Sequence, residues 1–335
     1  MDSIQAIKSH REAVKNIGQI TRAMEVVSAT KMRRAQELAL NSRPYALSAL
    51  EILARLSSSR LGRSGARALT SGLAVSRPVK NTLLVVISSD RGLAGSFNTQ
   101  VFRSADSFIA ERADGGIQVM VIGKKARSWA EKKEGVKVAG QFSGWGDYAA
   151  PEEIEPLYRL VVDGFTAGQW DEVVTLSTHF RTTLKQEVLR RQILPVDSKK
   201  ITETVNEIIP ERGRYAQTEP STKSADKESR PATLGTLNVA GRDYPSRFAA
   251  QEDYLLEPTP QKLIDFLIPH LVKMQIYHLV LEANASEHSA RMVAMKNASD
   301  NAQELSSALQ LAYNKARQAN ITKELIEIIS TQNAL

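Results

Sequence analysis

The sequence predicts an α/β protein in which a long antiparallel coiled coil, made by the two chain ends, carries an inserted α/β layer. Three observations point there. Helix breakers are scarce at both ends: residues 1–43 hold no proline and one glycine, Gly18, while no proline follows Pro269 and no glycine follows Gly241. Apolar residues recur at both ends in helical steps, placing them on one stripe. The middle instead alternates short apolar runs with helical stretches, an order that indicates a parallel sheet flanked by helices.

The N-terminal helix is expected to carry its stripe at Ile4, Ile7, Val14, Ile17, Met24 and Val27, then at Ala35 and Leu38. The slip by one residue near Ala35 is the drift of a real helix against a strict heptad. Pro44 interrupts the pattern, but Ala46 to Leu56 resumes helix-forming composition, so a kink is expected there rather than an end. The stripe is narrow and the opposite face polar, which suits a coiled-coil seam better than a globular core helix; a pair of ordinary bundle helices is the alternative. Ala23, Ser28 and Ala35 here, and Ala302, Ala312 and Ala316 at the other end, are small enough to let two backbones approach. A helix of about 50 residues would reach about 75 Å, longer than a compact domain of this size needs.

In the middle, Leu83 to Ile87 reads as a first strand, closed by the turn Ser88 to Gly92. A helix is expected over 97–112, a strand over Ile117 to Ile122 ending at Gly123, and a helix from Lys124 to Lys133. Residues 152–167 read as a helix and Glu172 to Ser177 as a third strand. Thr218 to Pro231 is rich in Ser, Thr, Lys, Glu and Pro, a composition that cannot bury a core and marks a polar insertion over about 196–245. Tyr254 to Leu256 reads as a last strand, and Pro258 and Pro260 as the start signal of the C-terminal helix. That helix carries its stripe at Met292, Met295, Ala302, Leu305, Leu309, Ala312 and Ala316, continuing to Leu325, Ile328 and Ile329. The resulting division is 1–60 for the N-terminal helix, 61–257 for the central α/β domain with its insertion, and 258–335 for the C-terminal helix.

Composition narrows the function. The chain has 335 residues, a net charge of +7 and no cysteine, which removes disulfides, thiolate metal sites and cysteine nucleophiles. Residues 1–80 hold 14 Lys and Arg against 5 Asp and Glu, an excess that fits either an acidic partner or a solvated helix face. Only one aromatic residue, Tyr45, lies in that stretch, so the stacking groups of a nucleic-acid binder are missing. Asp2 and Glu12 near the start fit neither a secretory signal nor a transit peptide, and no apolar run of bilayer length stands out.

No catalytic constellation emerges. Gly123-Lys124-Lys125 lacks the first glycine and the hydroxyl of a phosphate-binding P-loop, and no G-x-G-x-x-G follows the first strand. His10, His179, His270, His278 and His288 show no metal-ligand spacing, so neither a cofactor nor a metal is expected. Stiff helices, a basic surface and a nucleotide-fold look-alike without nucleotide residues point to a mechanical or binding part.

Three separated blocks then carry a family resemblance. Ile20 to Gln36, continued by Ser42 to Tyr45, resembles the N-terminal signature of gamma subunits of rotary F-type ATP synthases. Ser89 to Gly95 with Asn98 is similar to the family's D-R-G-L-C-G…N loop, with Ala94 in place of the cysteine. Ala285 to Ala298, running on through Tyr313 to Ala319 and Ile321 to Leu325, matches its C-terminal signature.

The resemblance implies a Rossmann-like central domain and a non-catalytic rotor shaft within a ring of alpha and beta subunits, with its base on the epsilon subunit and the membrane ring of c subunits. ATP chemistry would occur on beta. It implies beta-subunit contact by Met24, Arg317 and Gln318, with Lys31, Arg33 and Arg34 adding positive surface or simply solvating the helix. Asp90, Arg91 and Asn98 would form an interface loop or merely fix a turn, and Glu324 to Leu335 would be the tip in an apolar bearing. No nucleic acid and no homo-oligomer is expected. The implied location is the cytoplasmic side of a bacterial inner membrane, peripheral and within a complex.

Overall fold

The structure, a computed structural model, describes residues 4–58, 72–112, 115–145, 148–196, 236–239, 242–245 and 259–332. Two helices dominate it. The N-terminal helix α1 spans Ile4–Ser58, running through Pro44, and the C-terminal helix (α5 in chain order) spans Pro260–Gln332, running through Pro269. They pair antiparallel from Arg11 to Ala39 of α1. Arg11 hydrogen-bonds Gln310 and sits over the Tyr313 ring, whereas near the other end Leu38 and Ala39 join the core that holds Ile268 to Ala283 of α5.

The seam follows the expected stripe at Val14, Ser28, Ala35, Met295 and Ala302 and departs from it elsewhere. Val14, Thr21, Ser28, Met32 and Ala35 are buried on α1, while Ile17 and Val27 are left more than half exposed and Ala23 faces solvent. On α5 the buried positions are Met295, Ser299 and Ala302, with Leu305 and Ala312 exposed. Size explains the choice. A Cβ at Gly18 would stand 3.2 Å from Ala302 Cβ, so the backbones meet through small and hydroxyl side chains, and the larger apolar residues lie one step to the side.

Between the two helices in sequence, and packed against α5, comes a five-stranded sheet in the order β3-β2-β1-β4-β5. Its strands are β1 (Asn81–Ile87), β2 (Gly116–Ile122), β3 (Lys137–Phe142), β4 (Glu172–Phe180) and β5 (Gln186–Leu194). The first four are parallel and β5 closes the edge antiparallel to β4. Helices α2 (Phe97–Glu111), α3 (Lys124–Ala130) and α4 (Glu155–Thr166) make the crossovers. The three strands read from sequence are present; β3 and β5 were not foreseen. A separate hairpin, β6 (Thr236–Val239) with β7 (Arg242–Pro245), falls within the expected polar insertion. Thr218 to Pro231 and the strand expected at Tyr254 to Leu256 lie outside the described residues.

Both sheet faces are covered, which is why β1 reads as an unbroken apolar run. Leu84 and Val86 meet Val101, Ala105 and Phe108 of α2 and Ala126 and Ala130 of α3. Leu83, Val85 and Ile87 meet Leu157, Val161 and Phe165 of α4 and Ile276, Leu279 and Val280 of α5. The shaft helix is thus itself one layer of the α/β sandwich. An 18-residue window of α5 has the length and apolarity of a membrane span, with mean hydropathy 1.2, but 56% of it is buried inside the fold.

Candidate functional site on the shaft

Two kinds of surface bear on function: the exposed shaft and the junction that fixes the shaft to the sheet. On α1, Ile17, Ile20, Met24 and Val27 form a stripe beside the seam, with Ile17, Ile20 and Val27 exposed and Met24 half-buried. The same line continues to Lys31, half-buried, and Arg34, whose guanidinium lies 3.3 Å from Glu37. Arg33 is exposed one position away. Apolar contact area therefore passes directly into positive surface along one edge of the helix.

Arg317 and Gln318 are exposed on α5. With Arg11 level with Gln310, the first described turn of α1 lies level with about residue 317, and α5 runs on for about 20 Å more at ~1.5 Å per residue. The structure places Met24, Lys31, Arg33 and Arg34 on one stretch of α1, but leaves Arg317 and Gln318 about 30 Å beyond the level of Met24 and about 45 Å beyond that of Arg34, toward the free end of α5. Every residue from 317 to 329 is exposed, including Ile321, Leu325, Ile326, Ile328 and Ile329.

The Ser89–Asn98 loop is tied from within. Asp90 accepts backbone hydrogen bonds from Lys124 and Gly144, both at 2.9 Å, joining the loops after β2 and β3. Asn98 accepts from the Ser89 amide at 3.1 Å and donates to its hydroxyl at 2.7 Å. The backbone carbonyls of Arg91 and Gly92 accept from Arg291 of α5, each at 3.2 Å. Asn98 therefore spends its polar atoms inside the loop and Asp90 on the two neighbouring loops, while the side chains of Arg91 and Leu93 face outward. Leu93 has φ 63°, a left-handed conformation costing ~1–2 kcal/mol for an L side chain. At Gly123, φ 94° and a Cβ position 2.4 Å from the Ser88 carbonyl oxygen leave no room for any other residue.

In an open sheet of this strand order the ligand crevice lies at the carboxyl ends of β1 and β4, where the order reverses. Here α5 lies across both strand ends. Arg291 holds the loop after β1, and the Ser286 hydroxyl donates to the Thr178 carbonyl of β4 at 3.1 Å. Among the described residues no group of three or more His, Asp or Glu is placed to hold a metal ion.

Sequence reasoning missed the junction itself. Glu282, almost fully buried on α5, accepts from the ring Nδ1 of His179 on β4 and from Arg191 of β5 at 3.0 Å. Burial alone would push the Glu282 carboxyl up, but the His179 hydrogen bond and the charges of Arg191, His179 and His278 win and hold it at about 2. Farther along the same face, the Ser289 hydroxyl donates to the Thr183 carbonyl at 2.8 Å in the β4–β5 turn. Glu282, Ser286 and Ser289 thus button α5 to the hairpin at steps of four and three, one helix face. A carboxylate inside the apolar run Leu279 to Ala283 was the sequence signal for it.

Comparison with known proteins agrees with this geometry. A family model described as ATP synthase matches residues 3–335. The ATP synthase gamma chain of Roseiflexus castenholzii is 38% identical, covering 100% of this chain and 99% of that relative. That of Geobacter metallireducens is 35% identical over 98% of both. Among solved structures, a chain of the Euglena gracilis mitochondrial ATP synthase, from an assembly of OSCP, F1 and c-ring, superposes with TM-score 0.59. It is 19% identical and the match covers 99% of this chain and 94% of that one, so it supports the fold. On the full-length family match and these relatives, the chain belongs to the ATP synthase gamma chain family.

Proposed function

We propose that the chain is the central rotor shaft of an F-type ATP synthase, turned by an ion-driven c ring and turning inside a ring of alpha and beta subunits. The observation that carries this reading is a single 73-residue helix, α5, that begins as a layer of an α/β sandwich, continues paired with α1 and ends as a bare rod from residue 317. Rotation of an asymmetric rod changes the conformation of a surrounding subunit only where the rod contacts its states differently. The paired helices supply that asymmetry: an apolar–basic edge on α1 and, farther up, Arg317 and Gln318 on α5.

In this reading the edge from Met24 to Arg34 meets acidic lever segments of beta, where charge complementarity sets specificity and rate of engagement. Arg317 and Gln318 hydrogen-bond a beta loop. The apolar positions from Ile321 to Ile329 turn in a bearing at the top of the ring. Arg91 and Leu93 face outward as an interface, with Asp90 and Asn98 holding the loop that presents them. The α/β layer is the foot, gripped by epsilon and the c ring. The chain is non-catalytic; support comes from α5 lying across the crevice that would hold a nucleotide, and from the missing P-loop. The complex sits at the cytoplasmic side of a bacterial inner membrane, a location supported by its bacterial relatives.

Reconstitution with alpha and beta subunits tests this. Addition of the chain is expected to produce cooperative, multisite ATP hydrolysis. Hydrolysis identical with and without the chain would overturn the reading.

A further inference from the structure

We propose that the Glu282–His179–Arg191 cluster, with Ser286 and Ser289, is the torsional lock through which torque passes between the α/β foot and the shaft. This rests on the rotor reading above. The sheet meets α5 mainly through Ile276, Leu279, Val280 and their apolar neighbours, and such contacts resist separation but have no preferred direction. Turning the helix about its own axis would cost part of this burial, but apolar packing yields to small angular displacements. Directed bonds define the angle sharply.

The structure concentrates those bonds on one line of α5. Glu282 takes His179 on one oxygen and Arg191 on the other, so its carboxylate is held by two adjacent strands at once. Arg191 is itself fixed, its backbone carbonyl accepting from the Thr175 hydroxyl at 3.1 Å. One turn on, Ser286 bonds the Thr178 carbonyl, and Ser289 bonds Thr183 while Gln186 reaches back to it at 3.3 Å. On the other side of the helix path, Arg291 is held by Glu287 at 2.5 Å and grips the loop after β1. Rotation of α5 in either sense breaks charge-assisted hydrogen bonds inside a buried, low-dielectric site, where they are strongest. The placement is also apt. The lock sits close to where α5 leaves the sheet, just before Arg291, the last of these polar contacts along the helix.

The test separates stiffness from stability. Replacing a buried ion cluster by apolar residues of similar volume often keeps or raises stability while removing direction. The triple variant His179→Leu, Arg191→Met, Glu282→Leu is assembled into the complete ATP synthase. A probe on the α/β layer then reports angular fluctuation with the catalytic ring stalled, and ions pumped per ATP are measured in vesicles. The expected result is an unchanged Tm and retained ATP hydrolysis, with broader fluctuation and fewer ions pumped per ATP. Unchanged fluctuation and pumping in the folded variant would overturn the lock while leaving the rotor reading intact. Failure of the wild-type complex to rotate would overturn the rotor reading instead. If the triple variant loses stability, Ser286→Ala with Ser289→Ala decides, since the charges stay in place. It should broaden the fluctuation in the same sense, with hydrogen exchange across β4–β5 rising by about tenfold, as for loss of roughly 1.4 kcal/mol. No change there would also overturn it.

Discussion

The two halves of α5 are built from similar residue types and put to opposite uses. From Ile264 to Ala302 the helix faces the sheet on one side and α1 on another, and Leu279 and Leu281 have no exposed surface. From 317 to 329 it faces solvent on every side, and Leu325 is 54% exposed. A helix exposed along its whole circumference gains little from tertiary packing, so its order rests on propensity and on continuity with the packed half. Exposed isoleucines and leucines at such a density fit the bearing surface proposed above. The comparison teaches that apolar residues of α5 are buried where the sheet and α1 cover the helix and stay exposed beyond the end of α1.

The largest effect that would sharpen this contrast is in the buried half. Glu282→Ala strands Arg191 and His179 without their shared acceptor and should cost ~3–5 kcal/mol in urea unfolding of the isolated chain. Leu279→Ala should cost ~2–5 kcal/mol by the same measurement, through lost burial and a cavity. A cost within error of zero in either would break the assignment of this half to folding.

A pH series probes the same carboxylate. Its folded value, about 2, lies below the ordinary 4.5, so its contribution is complete above about 4.5 and is lost as pH falls toward 2. The stability gap between the wild type and Glu282→Gln should therefore shrink on acidification through that window. A gap that widened there would contradict the bonding described. Smaller effects on the fold belong to the bare half. Arg317→Ala and Gln318→Ala should each change stability by no more than ~0.5 kcal/mol, as exposed positions do, yet lower multisite ATPase of the assembled complex. Full turnover in both would remove their proposed contact. Leu325→Ala is the smallest: it should leave unfolding of the isolated chain within ~0.5 kcal/mol of wild type, against the same change at Leu279.

The contrast also explains what the sequence revealed. The scarcity of Pro and Gly and the apolar periodicity disclosed both long helices, and the run Leu83 to Ile87 disclosed a doubly covered strand. The seam was legible in part: Val14, Ser28 and Ala35 lie on it as expected, but Ile17 and Val27 face outward while Gly18 and Thr21 face the partner helix. Hydrophobicity tracks burial only when all of the burial happens within one chain, and an assembly surface breaks that link. Strands β3 and β5 escaped notice because edge strands carry polar residues and glycine: β5 breaks its apolar residues into the pairs Val188-Leu189 and Ile193-Leu194 with Arg190, Arg191 and Gln192 between them, and β3 contains Gly140. The junction was hidden for a related reason. Glu282, His179 and Arg191 are far apart in sequence, and only the fold brings their charges to one buried point.

The most direct measurement follows a probe on the α/β layer of single complexes, held by the alpha and beta subunits, during ATP hydrolysis. Unidirectional stepped rotation of the probe, at a rate that follows ATP turnover, is the predicted result. Steady hydrolysis with the probe stationary relative to the ring would contradict the central claim.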